Sequence, residues 1–303
     1  MIQGIGINAD SNRTDGNLAV LREDLAKFQE AGFDYVEIAA HSLDVIIHGE
    51  LIPNRLREVS KLVKAYGLKY TLHGPDPTNL MDPEYGSLHE KVLRASLDLA
   101  GELEASVLVY HCGHVPRRFG EATWDRILER KKWEQESLVR LGDRAQELGV
   151  TICVENALYT PGDYSPEDEF SAARVDQLIA HIAEIGHPNV KICLDVGHAH
   201  ISANVLGFDL ATAVRKAKPY IRHLHIHDNF GLFEPIAHTS NINRLPFGFG
   251  DLHLAPGDGN IPYHLLNADL RDCAAVALVE LNPRYQNLEK LRSIVENLRG
   301  CLL

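Results

Sequence analysis

The residues of this chain that could do chemistry sit where short apolar runs end. The run "HLHIHDN", 223 to 229, alternates His223, His225 and His227 with apolar residues before Asp228 and Asn229. In an extended strand alternate side chains leave the same face, so the three imidazoles line one surface at steps of about 6 to 7 Å. Other runs finish in the same way. "KYTLHG" reaches His73, "SVLVYHCG" reaches His111, "TICVEN" reaches Glu155 and Asn156, "VKICLDVG" reaches Asp195 and then His198, and "VALVELN" reaches Glu280. A later D-x-H adds Asp251 and His253. One such residue alone is more often a hydrogen-bonded structural group. Many imidazoles and carboxylates at one place would repel or stay under-satisfied unless cations held them, so a divalent-metal site is expected. Nitrogen and oxygen donors suit Zn, Mn, Co, Fe or Mg rather than a thiolate-seeking metal.

What would bring these ends together is the pattern around them. Strands are expected at 4–8, 35–40, 69–74, 106–113, 151–156, 190–197, 221–229 and 276–282. Stretches of helical period lie between them: Leu18, Leu21, Leu25 and Phe28 share one stripe, as do Leu288, Leu291, Val295 and Leu298. Gly32, Gly67, Gly149 and Gly186 close successive helices. Eight such units without a linker predict an α/β fold, a (β/α)8 TIM barrel in a single domain over 1–303. An open doubly wound sheet is the alternative, but the first strand is not followed by a Gly-rich phosphate fingerprint. The surplus length falls in a long loop, 230–260, after the seventh strand.

In such a barrel the C-terminal strand ends build the active site. Glu155 and Glu280, from the fifth and eighth strands, could serve as base and acid on two sides of a substrate. A cation chelating an α-hydroxycarbonyl would act as Lewis acid on the enediolate formed when the carbon proton leaves. His198 would hold a substrate hydroxyl, or a second cation. Asn156 is expected near substrate. Glu37, in "YVEI", is either a substrate contact or a structural group. His41, His48, His181, His187 and His264 read as surface residues away from the mouth, and Trp124 and Trp133 as core or interface residues of the fourth helix. "SPEDEF", 165–170, reads as an acidic helix start.

The 303 residues carry a formal charge of −12 with no basic tail, which speaks against a broad nucleic-acid surface. No apolar run reaches membrane-spanning length, and the first residues lack the order of a signal peptide, so a cytoplasmic protein is expected. Cys112, Cys153 and Cys193 lie in strand-like runs and read as buried free thiols. A homo-oligomer is left open.

The pieces "LHGPDPTNL", "YHCGH", "CVENA", "CLDVGHAH", "HIHDN", "DLHLAPGDGNI" and "LVELN", in this order, resemble the xylose isomerase-like TIM-barrel superfamily. It holds sugar isomerases and epimerases as well as endonuclease IV, the abasic-site nuclease. The resemblance implies one cation on Glu155, Asp195, His225 and Glu280, which singles out His225 among the three histidines and leaves His227 near substrate and His223 as a hydrogen-bonded core histidine. Should the site be multinuclear, as in the nuclease, His73, His111, His198, Asp251 and His253 complete a set for three ions. The acidic stretch after Asn156, and Asp76 where a base-stack wedge would be apolar, favour the sugar branch. Pro235, Pro246 and Pro256 with Phe230, Phe233, Phe247 and Phe249 resemble a semi-rigid lid over a small polar ligand. The expected function is thus a divalent-metal-dependent isomerase or epimerase of a sugar, sugar phosphate or polyol-derived carbonyl, with a carbohydrate-like small molecule as partner. The alternative is an endonuclease IV-like phosphodiesterase.

Overall fold

Eight short parallel strands close on themselves in sequence order, the last pairing with the first. They are β1 (Gly4–Ala9), β2 (Tyr35–Ala39), β3 (Lys69–His73), β4 (Val107–His111), β5 (Thr151–Glu155), β6 (Val190–Asp195), β7 (Ile221–Ile226) and β8 (Val276–Val279). The computed structural model describes residues 1–114, 124–158, 172–234 and 241–303. The acidic helix start expected at 165–170, Pro235 and the Trp124 side chain lie outside the described residues.

Both faces of these strands are covered, so they read as almost continuous apolar runs. The outward residues meet the helices, and the inward ones fill the lumen. Val107, Val109, Cys153 and Cys193 form a small cluster apart from the main core. They precede His111, Glu155 and Asp195 by an even number of residues, so this cluster plugs the lumen beneath the polar strand ends. All four cysteines before Cys301 are free and buried.

Around the barrel, α1 (Leu18–Ala31) buries Leu21, Leu25 and Phe28, and α9 (Leu288–Leu302) buries Leu291, Val295 and Leu298, as their stripes predict. Between them run α2 (Pro53–Val63), α3 (Gly86–Glu102), α4 (Trp124–Leu148), α5 (Val175–Ile185), α6 (Val196–Leu206), α7 (Leu210–Ala217) and α8 (Tyr263–Arg271). Gly32 and Gly186 end α1 and α5 at φ of 94° and 65°, a left-handed turn that a side chain would strain. Gly67 does not act in this way, because α2 stops at Val63 and is capped by Lys64.

Several expectations are corrected. The strands end earlier than read: β7 stops at Ile226, since Asp228 leaves the ladder to bridge Leu254 in the long loop. His181 is not a surface residue. It is fully buried on α5, with Nε2 2.9 Å from the buried Glu134 of α4. That carboxylate also accepts from the Tyr110 hydroxyl and the Gly113 N–H, so it ties α4 and α5 to the end of β4. Trp133 is 37% exposed, with the Arg130 guanidinium 3.8 Å above its ring, and so is no core residue. Among the described residues no helix is long and apolar enough to cross a membrane.

Candidate metal centre and active site

Strand register decides which polar ends share a level. His111 on β4 is the register partner of Glu155 on β5, and Asp195 on β6 that of His225 on β7. Asp195 also starts α6, its Oδ1 accepting from the His198 N–H at 2.6 Å, so one residue places both itself and His198. The outcome is a cavity of about 260 Å³ at the C-terminal mouth, walled by Glu155, Glu280, His73, His111 and His198. The long loop contributes Asp251 and His253 to it, whereas Phe230, Phe233 and Phe247 stand exposed.

The expected ligands assemble in three adjoining groups, within each of which the candidate atoms lie within 4.8 Å of one another. Glu155, Asp195, His225 and Glu280 form the first. His225 Nδ1 is 3.3 Å from Glu155, 3.4 Å from Glu280 and 3.8 Å from Asp195. His73, His111 and Glu155 form the second, with Glu155 Oε2 3.5 and 3.2 Å from the two Nε2 atoms. The third is His198, His227, Asp251 and His253; Asp251 lies 3.3 Å from His198 and 3.4 Å from His227. Glu155 is common to the first two groups.

The donor set fits a divalent cation. Glu155 Oε2, His225 Nδ1 and Asp251 Oδ1 are buried without a hydrogen-bond partner. Orphaned lone pairs of this kind cost about 1 to 3 kcal/mol each unless a ligand engages them. The electrostatics agree. Burial alone would raise the Glu155 carboxyl, but His225 and His111 hold it well below the usual carboxylate range. Burial opposes ionisation of Asp251 too, and His253 and His227 overcome it. Burial lowers His73, yet the Glu155 carboxylate 3.5 Å away, with Glu37 and Asp76, pushes it up to about 10. His227 rises to about 9, burial being outweighed by Asp195 and Asp251.

These directions set a pH dependence. An imidazole whose folded value exceeds its unfolded value of about 6.5 stabilises the fold fully below that pH and ceases to do so as pH rises through the folded value. The melting temperature of the chelated protein is therefore expected to fall between about pH 7 and pH 10, through the values near 9 for His227 and 10 for His73. The increment given by saturating divalent cation should grow over the same window, because cations replace those protons. Thermal melts at several pH values check both; a flat chelated-protein curve would contradict the proton-linked histidines.

Of the residues expected to touch substrate, His198 and Glu37 line the cavity. Asn156 and His227 are fully buried behind it. The Asn156 amide is spent on the Asp195 backbone, accepting from its N–H at 2.8 Å and donating to its C=O at 3.0 Å. His227 packs face to face with His253 at 4.5 Å and sits against Gly197, where a Cβ would collide with its ring. His223 is a core histidine, hydrogen-bonded to Glu37. His41, expected away from the mouth, lines the cavity together with Asn8, Asp10 and Ser11. Asn8 lies near the end of β1 and Asp10 and Ser11 follow it in "GIGINADS", and the rule applied to the other strand ends would have found them.

Comparison with known proteins agrees with this architecture. An uncharacterised protein of Methanocaldococcus jannaschii is 27% identical over 299 residues, covering 95% of each chain. A D-psicose 3-epimerase of Agrobacterium fabrum is 23% identical over 263 residues, 86% of this chain and 78% of its own. Among solved structures, a D-tagatose 3-epimerase-like protein superposes with a TM-score of 0.72 at 22% identity, over 99% of this chain and 97% of its own. The family described as xylose isomerase-like TIM barrel matches residues 25–300. With a closed eight-stranded barrel and a match over that span, the chain belongs to the xylose isomerase-like TIM barrel family.

Proposed function

We propose that the protein is a divalent-metal-dependent isomerase or epimerase acting on a carbohydrate-like carbonyl substrate. The observation that carries this reading is the pair Glu155 and Glu280, which approach one imidazole nitrogen at 3.3 and 3.4 Å from strands β5 and β8. The 3-epimerase names of relatives support it. Glu155, Asp195, His225 and Glu280 would hold the cation, which would supply Lewis acidity toward negative charge on the substrate oxygens. Glu155, kept ionised, takes the proton from the carbon beside the carbonyl. Glu280, on the other side, delivers a proton taken from solvent to the opposite face, which inverts the centre, and Glu155 releases its proton to solvent to reset the pair; delivery to the neighbouring carbon isomerises the substrate instead. His198 orients a substrate hydroxyl. The deep position of Glu155, 2% exposed, limits bulk water at the proton-transfer step.

Incubation with free ketoses in deuterated water, followed by NMR, tests the reading. Deuterium should enter at the carbon beside the carbonyl and only there, and chelation should stop it. Absence of exchange across aldoses, ketoses and their phosphates would remove the isomerase reading.

A second reading has one observation in its favour: the two further ligand groups flanking the first. With cations at all three, Glu155 and the histidines around it would hold a water and a phosphate ester in place for hydrolysis, as in an abasic-site nuclease.

A further inference from the structure

Both histidines of β7, His223 and His225, turn onto a single carboxylate that reaches them across the lumen. Glu37 stands on β2, which β1 and β8 separate from β7 in the barrel order. Its Oε1 lies 3.0 Å from His225 Nε2, and its Oε2 lies 2.9 Å from His223 Nε2. Thr71, its register partner on β3, donates its hydroxyl to Oε2 at 2.9 Å. The residue is 2% exposed, and none of the cation-holding groups includes it.

Three donors around two oxygens leave the carboxylate only the role of acceptor. His225 therefore carries a proton on Nε2, which leaves Nδ1 as the nitrogen open to a cation. That atom has no hydrogen-bond partner and faces Glu155, Glu280 and Asp195. The other nitrogen of a metal-binding histidine commonly donates to a carboxylate, which sets the tautomer and makes the ligating nitrogen more basic. Here the carboxylate comes from the opposite wall and is itself anchored twice.

We propose that Glu37 is a positioning residue, held by Thr71 and His223, that fixes the tautomer and ring orientation of His225 so that Nδ1 faces a divalent cation. This rests on the reading that Glu155, Asp195, His225 and Glu280 hold such an ion. It also changes the meaning of Glu37, whose oxygens are engaged beneath the cavity rather than turned to substrate.

The test compares wild type with Glu37→Gln and Thr71→Val, using Co(II) and Zn(II) in competition with a chromophoric chelator. Glu37→Gln keeps the shape and one acceptor but removes the charge, and should weaken cation binding by about 10- to 100-fold. Thr71→Val should weaken it by a smaller factor in the same direction. NMR of the Co(II)-loaded wild type needs no substitution. It should show His225 ligating through Nδ1, with a slowly exchanging proton on Nε2, and this decides the matter even if Glu37→Gln does not fold. Ligation through Nε2, or a folded Glu37→Gln protein that binds within twofold of wild type, would overturn the proposal. A wild type that binds no cation would overturn the metal-centre reading instead, so the two failures are distinct.

Discussion

Glu155→Gln is expected to lower turnover by about a thousandfold or more, the scale of losing a positioned base together with a charged ligand. The glutamate faces four imidazoles: His73 at 3.5 Å, His111 at 3.2 Å, His198 at 3.4 Å and His225 at 3.3 Å. A glutamine of the same shape turns an N–H2 group toward nitrogens that now meet an anion, and it cannot accept a carbon-bound proton. Glu280→Gln should lower turnover on a similar scale. The two differ in metal content, since Glu155 belongs to two ligand groups and Glu280 to one. Elemental analysis of the purified variants should find the ion of the first group lost from both, and any ion held by the His73–His111 group lost from Glu155→Gln alone. More than a tenth of wild-type activity in Glu155→Gln would exclude it as the base.

Removal of divalent cations is expected to abolish activity and to lower the melting temperature. At a free cation concentration a thousand times Kd, one site stabilises the fold by about 4 kcal/mol. How the metal returns discriminates between the two chemistries. Anomalous scattering from crystals of the reconstituted protein should place an ion among Glu155, Asp195, His225 and Glu280. If that ion alone restores deuterium exchange into a ketose, the isomerase reading holds. If activity needs ions at the His73–His111 and Asp251–His253 groups as well, and appears on abasic-site DNA rather than on sugars, the hydrolytic reading replaces it.

The order of strands was legible because a parallel barrel buries both faces of every strand, and this leaves apolar runs that end abruptly in polar residues. All eight runs form strands near the expected positions. Helix ends were less legible: Gly67 looked like a terminator, but α2 closes at Lys64. Histidines off the strands were the least legible. His181 and His41 carry no local mark that separates a buried ion-pair partner from a cavity rim or from an exposed surface residue. Helical periodicity cannot tell which polar residue of α5 will meet Glu134 of α4, because that depends on how neighbouring helices dock.

The two histidines of β7, with His227 just past its end, show where the division falls. Alternation along the strand determined that His223, His225 and His227 share a face, and the family resemblance pointed to His225. What each imidazole does came from residues brought to it by other strands: Glu37 to His223 and His225, Asp195 and Asp251 to His227, and Glu155 and Glu280 to His225. Local sequence determined the strands, the direction of their side chains and the polar character of their ends. Closure of the barrel decided the partners, because contacts across a lumen join residues as far apart as 37 and 225 and no spacing along one strand encodes them.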